Sequence, residues 1–419
     1  MNIPATDLPR IVIIGCGFAG LRFGKVIDTR NYQVVLLDKN NYHTFQPLMY
    51  QVATAGLEPD SIVYPIRKVF GGKRNFYFRM AEVSHVDTDS KSIHTDIGSL
   101  DYDHLIVCTG ATNNFFGMEA MQRHGRPMKS LNESLDLRSN ILQNFEAALN
   151  TTDLEEREAL MDFVIVGAGA TGVELAGALA ELKKHVLPND YPDLDVRRMQ
   201  IHVIEAGPSV LSAMSEQASK KSEAFLRKMG VHVWLDTKVL DYDGHTVTTD
   251  KQTLKARTLI WSAGVQGDPV RGLGVEMGRG RRIPVDEHAQ VKGLDGVIAL
   301  GDVALMHTED YPNGHPMLAS VAGQMGEWSA KNFNRKAKGK DLRPFRYVDK
   351  GTMATVGRNL AVVDLKRFKF SGLFAWLTWM FVHLMLLVDY RSRLIVFMNW
   401  VWSYIKYDKG TRLIIRKVK

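Results

Sequence analysis

Two glycine runs in this 419-residue chain have the types and spacing to hold a phosphate: Gly15-Cys16-Gly17-Phe18-Ala19-Gly20 and Gly167-Ala168-Gly169-Ala170-Thr171-Gly172. In such a run the first glycine permits a tight turn, the second lets backbone N–H groups approach a pyrophosphate, and the third lets helix and strand pack closely. Each run is followed by an acid that can accept hydrogen bonds from ribose hydroxyls, Asp38 after the first and Glu205 after the second. Asp38 follows Gly15 at close to the usual ~20 positions, whereas Glu205 stands nearly twice as far beyond Gly167. The polar stretch from Leu187 to Arg198, with Pro188, Asn189, Asp190 and Pro192, reads as a loop that lengthens the connection. A carboxylate at Glu205 would repel a 2′-phosphate, which favours NADH over NADPH. The two cysteines, Cys16 and Cys108, make no Cys-x-x-Cys pair. That fits a reducing compartment and argues against a dithiol centre or a metal cluster, so no metal is expected and the electron carrier must be borrowed.

Elements on either side place both runs. Ile11-Val12-Ile13-Ile14 is a β-branched strand, the run follows, and a helix is expected from Leu21 to Asp28 before the strand Gln33 to Leu37 closes on Asp38. The arrangement repeats: Phe163-Val164-Ile165-Val166, the second run, a helix from about Val173 to His185, and Ile201-His202-Val203-Ile204 closing on Glu205. Strand, glycine turn and helix, twice, each with an acid after the next strand, predict an α/β chain. It has two Rossmann-like dinucleotide-binding domains, the two-dinucleotide-binding flavoprotein fold. The pyrophosphates would sit at the positive helix ends. A length of 419 residues with 45% hydrophobic content suits two or three cores. The division expected is a first nucleotide domain from residues 1–111 and 276–345, a second from 112–275, and a C-terminal region from 346–419.

Charge is unevenly spread. From Lys331 onward there are 20 Lys/Arg against 5 Asp/Glu, and the part of the chain before it holds 33 against 41, so the tail carries +15 and the body −8. A basic tail implies an anionic partner. Aromatic and aliphatic runs between the charges favour an anionic membrane surface, and no nucleic-acid partner is expected. The stretch from Phe370 to Val388 has no formal charge and includes Trp376, Trp379, Phe381 and His383. Its length is at the lower edge of what spans a bilayer. Leu394 to Ile405 is too short for a return, and Arg391, Arg393, Lys406, Lys409 and Arg412 rim both segments. Two tryptophan-rich helices with basic rims fit segments lying in the headgroup region and forming a C-terminal membrane-associating region. The alternatives are a buried helix pair or a dimer contact, and a homodimer is left open. The apolar stretch Ile11 to Leu21 lacks the flanks of a signal peptide, so the amino end is expected to remain.

Three further segments narrow the reading: the run Asn41 to Leu57, whose Phe45-Gln46-Pro47-Leu48-Met49-Tyr50-Gln51-Val52-Ala53-Thr54 core is the most specific; Trp261-Ser262-Ala263-Gly264-Val265; and Val297-Ile298-Ala299-Leu300 ending in Gly301-Asp302. With both glycine runs these closely resemble the type II, or alternative, NADH:quinone oxidoreductases through nearly the whole chain. The resemblance implies that Gly15, Cys16, Gly17, Phe18, Ala19, Gly20, Asp38, Lys39, Val83, Thr109, Gly110, Asp302 and Ala319 hold FAD. It implies NADH contacts at Gly167, Gly169, Gly172, Glu205, Ala263 and Gly264, and places Glu174 near the reacting rings as the catalytic candidate. Quinone contact is implied for Gln46, Pro47, Leu48, Ser320 and Gln324. The family has an Ala-Gln-x-x-x-Gln stretch where this chain has Ala319-Ser320-Val321-Ala322-Gly323-Gln324, so Ser320 replaces the first glutamine. Trp379 or His383 is expected near the inner end of a lipid-facing mouth. The activity implied is oxidation of NADH through FAD and two-electron reduction of menaquinone or ubiquinone, without proton pumping. The enzyme would be peripheral on the cytoplasmic face of a bacterial inner membrane, with the mitochondrial inner membrane as the alternative. A sulfide:quinone reductase, which would need cysteines near the flavin, and an NADH-binding sensor flavoprotein are the rival readings.

Overall fold

A computed structural model describes residues 1–406 and 410–414, so Lys409 lies outside the described residues. Six helices position the candidate residues: α1 (Phe18–Val26), α2 (Met49–Ala53), α3 (Ala170–His185), α4 (Ala319–Lys336), α5 (Leu373–Leu386) and α6 (Tyr390–Lys406). The chain folds into two units, one of Met1–Thr44, Val63–Asn113 and Val265–Asp349, the other of Phe45–Ile62, Asn114–Gly264 and Lys350–Lys419.

The first unit is built on a five-stranded parallel sheet in the order Val297–Ala299, His104–Val107, Arg10–Ile14, Gln33–Asp38, Phe76–Met80. A parallel sheet is covered on both faces, so its strands are apolar throughout rather than alternating. Ile11, Val12, Ile13, Val34, Val35, Leu36 and Leu37 are fully buried. Helix α4 crosses α1 so closely that a Cβ on Gly326 would fall 2.1 Å from the Ala19 carbonyl oxygen. The second unit repeats the sheet in the order Arg126–Pro127, Thr258–Trp261, Phe163–Val166, Ile201–Ile204, His232–Trp234. Val164, Val166, Ile204, Leu259 and Trp261 share its core.

Several expectations shift. Both helices after the glycine runs begin inside them, at Phe18 and Ala170, earlier than the sequence reading, because the glycines themselves serve as N-caps. The stretch from Leu187 to Arg198 holds a short helix, Leu187–Asp190, and a 3-10 turn, Val196–Arg198, which Pro188 and the Asp195 side chain initiate. Residues 265–275 join the first unit, because Val265–Gly267 pairs antiparallel with Ala111–Asn113. Residues 45–62 group with the second unit.

The C-terminal region is not helical alone. A three-stranded antiparallel sheet, Thr352–Gly357, Leu360–Asp364 and Lys369–Ser371, precedes α5 and α6. Ala361, Val363 and Ala375 form a small core between that sheet and α5. The sheet docks on α3 through Gly177, where a Cβ would lie 1.5 Å from the Val356 carbonyl oxygen. Both C-terminal helices have a buried side, with Ala375, Trp379, Val396 and Trp400, and an exposed side, with Phe374 at 77%, Phe381 at 65% and Ile405 at 66%. Among the described residues no helix is long and apolar enough to cross a membrane.

Candidate functional site

In the first unit the glycine run is shaped for a phosphate. Gly15 has φ +96, a backbone region that side chains disfavour, and a Cβ on it would meet the Cys108 carbonyl oxygen at 2.5 Å. A Cβ on Gly20 would meet the Gly15 carbonyl oxygen at 2.0 Å, whereas one on Gly17 would meet nothing within 4 Å. The open position is the one a pyrophosphate approaches. Helix α1 has no side-chain cap, which leaves its first N–H groups for an acceptor. The Asp38 carboxylate accepts the Cys16 N–H at 2.7 Å and the Asn40 N–H at 2.7 Å, so it closes the loop while keeping lone pairs for a ribose. Burial pushes Asp38 above the usual carboxylate range, opposed by those two donors.

The remaining FAD candidates in this unit fit the same group. Thr109 Oγ1 is buried with no hydrogen-bond partner among the described residues, and a bound phosphate or hydroxyl would satisfy it. The turn Gly301–Val303 carrying Asp302 is wedged between α1 and α4, since a Cβ on Gly301 would lie 3.1 Å from Ala322 Cβ and 3.3 Å from Ala19 Cβ. Ala319 opens α4, whose N-terminus also lacks a side-chain cap. Lys39 is exposed, and Val83 and Gly110 are partly buried. The sequence reading missed His43: its Nδ1 meets the Cys16 carbonyl at 2.8 Å, and burial lowers its pKa to about 4, so a neutral ring braces the loop. Cys16 and Cys108 are free and buried, and burial raises both thiols. Neither offers the accessible thiolate that sulfide chemistry requires.

The second unit repeats this shape. Gly167 has φ +99, and its Cβ would lie 2.6 Å from Ala263 Cα; Gly172 would clash with the Gly167 carbonyl at 2.0 Å, and Gly169 is open. Glu205 accepts the Ala168 N–H at 2.7 Å and the Gly207 N–H at 2.9 Å, repeating the role of Asp38. Ser262 Oγ donates to the Val166 carbonyl at 2.8 Å, holding Ala263 and Gly264 beside the run. A dinucleotide fits each unit by the same test: an uncapped helix start, an open central glycine and an acid tied to the loop.

Glu174, in the second turn of α3, opens onto a cavity of about 120 Å³ in the second unit. Its carboxyl is enclosed by protein except toward that cavity, and burial raises its pKa from 4.5 to about 8. Two donors pull the other way: the Thr355 N–H at 3.4 Å, and the Trp379 indole, which lies near the carboxylate without meeting hydrogen-bond geometry. Trp379 is 2% exposed, stacks on His383 with centroids 4.1 Å apart, and meets Trp400 and Tyr50 at 5.9 and 6.4 Å. The His383 Nδ1 meets the Trp379 carbonyl at 2.8 Å, its ring meets Phe45 edge-on, and burial lowers its pKa to about 4. Gln51 Oε1 accepts the Trp400 indole N–H at 2.8 Å, pinning α6 to α2.

The quinone candidates are unequally served. Leu48 is wholly buried, Gln46 is exposed and Pro47 half-buried. In the first unit, the Ser320 hydroxyl is already engaged by the Tyr347 hydroxyl at 2.9 Å, and Gln324 both donates to and accepts from the Val348 backbone at 3.0 Å. Unforeseen cavity residues are Tyr50, Thr355, Glu181, His185 and Arg358. Glu181 and His185 carried a signal in their helical spacing from Glu174, and Tyr50 in its place within the Phe45–Thr54 run, whereas Thr355 and Arg358 carried none.

Comparison with known proteins agrees with this geometry. The family model for pyridine nucleotide-disulphide oxidoreductases matches residues 9–326, and that for the NDH2 C-terminal domain matches residues 350–406. The Mycobacterium tuberculosis protein described as type II NADH:quinone oxidoreductase Ndh is 32% identical over 418 residues, covering 96% of this chain and 89% of its own length. Its NdhA counterpart from the same organism is 33% identical, over 97% and 89%. The structure of NDH2 from Plasmodium falciparum in complex with NADH shares the fold at TM-score 0.88 and 20% identity, over 97% of this chain and 100% of that one. With FAD as its cofactor and NADH as its substrate, this chain belongs to the type II NADH:quinone oxidoreductase family.

Proposed function

We propose that the enzyme oxidises NADH by hydride transfer to FAD and reduces a membrane quinone by two electrons, without moving protons across the membrane. The observation that carries this reading is the Glu174 carboxyl, kept protonated near neutrality by burial, on the helix that starts at the second dinucleotide cradle and beside an aromatic-walled cavity. FAD supplies hydride acceptance and two-electron release, as flavins do. The first unit would hold it through Gly15 to Gly20, Asp38, Lys39, Val83, Thr109, Gly110, Asp302 and Ala319. The second would hold NADH through Gly167, Gly169, Gly172, Glu205, Ala263 and Gly264. Glu174 gives a proton to the reduced quinone, which a carboxyl with a pKa near the working pH does well. Contact with the quinone is assigned to Gln46, Pro47, Leu48, Trp379 and His383 of the second unit.

The exposed faces of α5 and α6 would lie in the headgroup region of the membrane that faces the NADH pool. Phe374, Phe381, Trp402 and Ile405 project from them, and the tail carries an excess of positive charge. Truncation at residue 371 is a poor test, because Trp379 and Trp400 belong to the packed interior. Phe374→Ser with Phe381→Ser and Trp402→Ser should instead weaken binding to anionic liposomes while sparing NADH-driven bleaching of the flavin. The central test is anaerobic absorbance: NADH should bleach a flavin spectrum, and a quinone analogue should restore it. A colourless protein that binds no flavin would refute the reading.

A further inference from the structure

Reduction of a quinone by NADH consumes one proton from water: Q + NADH + H⁺ gives QH₂ + NAD⁺, because the hydride brings two electrons and only one of the two protons. That proton has to reach Glu174, whose carboxyl is enclosed by Trp379, Tyr50 and the backbone of Thr355. We propose that one face of α3, carrying Glu174, Ala178, Glu181 and His185, is the path by which it arrives, with Glu181 as the relay and His185 as the outer member. The proposal rests on the proton-donor role just given to Glu174.

Four observations carry it. The four residues follow each other at intervals of four, three and four, which sets them in one stripe of a helix, and all four line the same cavity. At ~1.5 Å of rise per residue, Glu174 lies roughly 10 Å from Glu181 and roughly 16 Å from His185 along the axis, too far for direct transfer and within reach of a short water chain. A cavity of about 120 Å³ has room for a few waters, and its carboxyl and imidazole groups give them partners. Glu181 is held in place, since one carboxylate oxygen accepts the Arg358 N–H. The residue itself lines the cavity.

Other groups around the cavity do not compete. Tyr50 on α2 is pushed well above its usual range by burial and by the Glu174 charge, so it keeps its proton. His383 on α5 is held neutral by burial. The Arg358 guanidinium lies 3.7 Å over the Tyr404 ring on α6 and donates to the Tyr404 carbonyl; it too lines the cavity, but a guanidinium has no acceptor for an incoming proton. Trp376, Trp379 and Trp400 also line the cavity, with indoles that cannot accept a proton.

The test uses the FAD-loaded enzyme without NADH or quinone. After a laser-induced pH jump, protonation of Glu174 is followed by time-resolved infrared at its carboxylic C=O stretch, the band that Glu174→Gln removes. Glu181→Gln keeps the acceptor for the Arg358 N–H but cannot carry a proton, and should slow the signal on the order of tenfold or more. Millimolar formic acid, a small proton carrier, should restore it. Ala178→Val changes no titratable group and fills the space between the two glutamates, so it should slow the signal as well; it decides the matter alone if Glu181→Gln does not fold. Parental rates in both variants overturn the path. Full quinone turnover by Glu174→Gln would instead overturn the donor role, and the infrared kinetics would still show whether the path exists.

Discussion

At the first glycine run a Cβ on Gly20 would fall 2.0 Å from the Gly15 carbonyl oxygen, and at the second a Cβ on Gly172 would fall 2.0 Å from that of Gly167. Asp38 closes one loop through the Cys16 N–H, and Glu205 closes the other through the Ala168 N–H, both at 2.7 Å. The two units thus solve one binding problem with one geometry. They diverge in what is added. The second gathers residues 45–62 and the C-terminal sheet and helices onto α3, and with them a cavity, a raised carboxyl and an exposed apolar face. The repeated part binds nucleotides, and the unrepeated part is where chemistry toward a non-nucleotide substrate would be placed.

The largest expected effects separate the two cradles. Gly20→Val should cost FAD, because the added carbons have only the Gly15 carbonyl to displace; overpacking of this kind costs about 1–3 kcal/mol or more. The purified variant should be nearly colourless. Gly172→Val should stay yellow but bleach with NADH at least about tenfold more slowly. Equal loss of flavin from both variants would show that the cradles are not independent.

Next in size, and confined to the unrepeated part, is Glu174→Gln. Loss of a general acid commonly costs ~10²–10⁴ in rate, and the loss should fall on quinone reduction rather than on bleaching by NADH. In the parent, quinone reduction should decline as pH rises through about 8, where Glu174 gives up its proton. Stability should decline in the same direction but from a lower pH. The unfolded carboxyl ionises near 4.5 and the folded one at about 8, so between those values the folded state holds a proton that the unfolded state has released. Stability therefore falls as pH rises across that window. Glu174→Gln should remove the fall, changing nothing below the window and adding stability on the order of a few kcal/mol above it, read as a higher Tm. A variant with parental Tm at pH 9 would mean that the carboxyl is not buried as described.

Gly177→Ala comes third. Its Cβ would lie 1.5 Å from the Val356 carbonyl, and neither a helix nor a sheet backbone yields easily, so the second unit should lose about 1–3 kcal/mol. Thermal unfolding followed by tryptophan fluorescence should report this, with flavin retention in the first unit unchanged.

The repeated geometry was legible because it is local. A β-branched run, glycines at fixed offsets and an acid after the next strand all lie within one stretch of chain, and each residue type has one physical reason to be there. Even the long second spacing to Glu205 changed only the connection before the strand, which holds a short helix and a 3-10 turn. The unrepeated part is assembled from three distant stretches, so Thr355 beneath Glu174, or Gln51 beneath Trp400, had no sequence signature. The α5 and α6 helices were visible as apolar segments, but which side of each would be buried was not: uncharged residues cover both sides of α5, and periodicity cannot choose. The antiparallel sheet between Thr352 and Ser371 was missed because its strands are short and joined by charged turns such as Lys366-Arg367.

The smallest expected difference lies between the two acids. Asp38 and Glu205 make matching bonds to their loops, yet burial raises the Asp38 carboxyl, so part of its charge is already a cost to the folded protein. Asp38→Asn keeps an oxygen for one backbone N–H and relieves that cost, while losing one charge-assisted bond worth about 1.5–3 kcal/mol. The two should nearly cancel, leaving FAD affinity within about fivefold of the parent. Glu205→Gln loses the charge that repels a 2′-phosphate, so NADPH should gain on NADH as a reductant, again by about fivefold. The measurements are FAD release on dilution for the first and the ratio of bleaching rates with the two nucleotides for the second. If Asp38→Asn instead lost FAD outright, the two loops would match in shape but not in energetics, the first depending on full negative charge where the second needs only an acceptor.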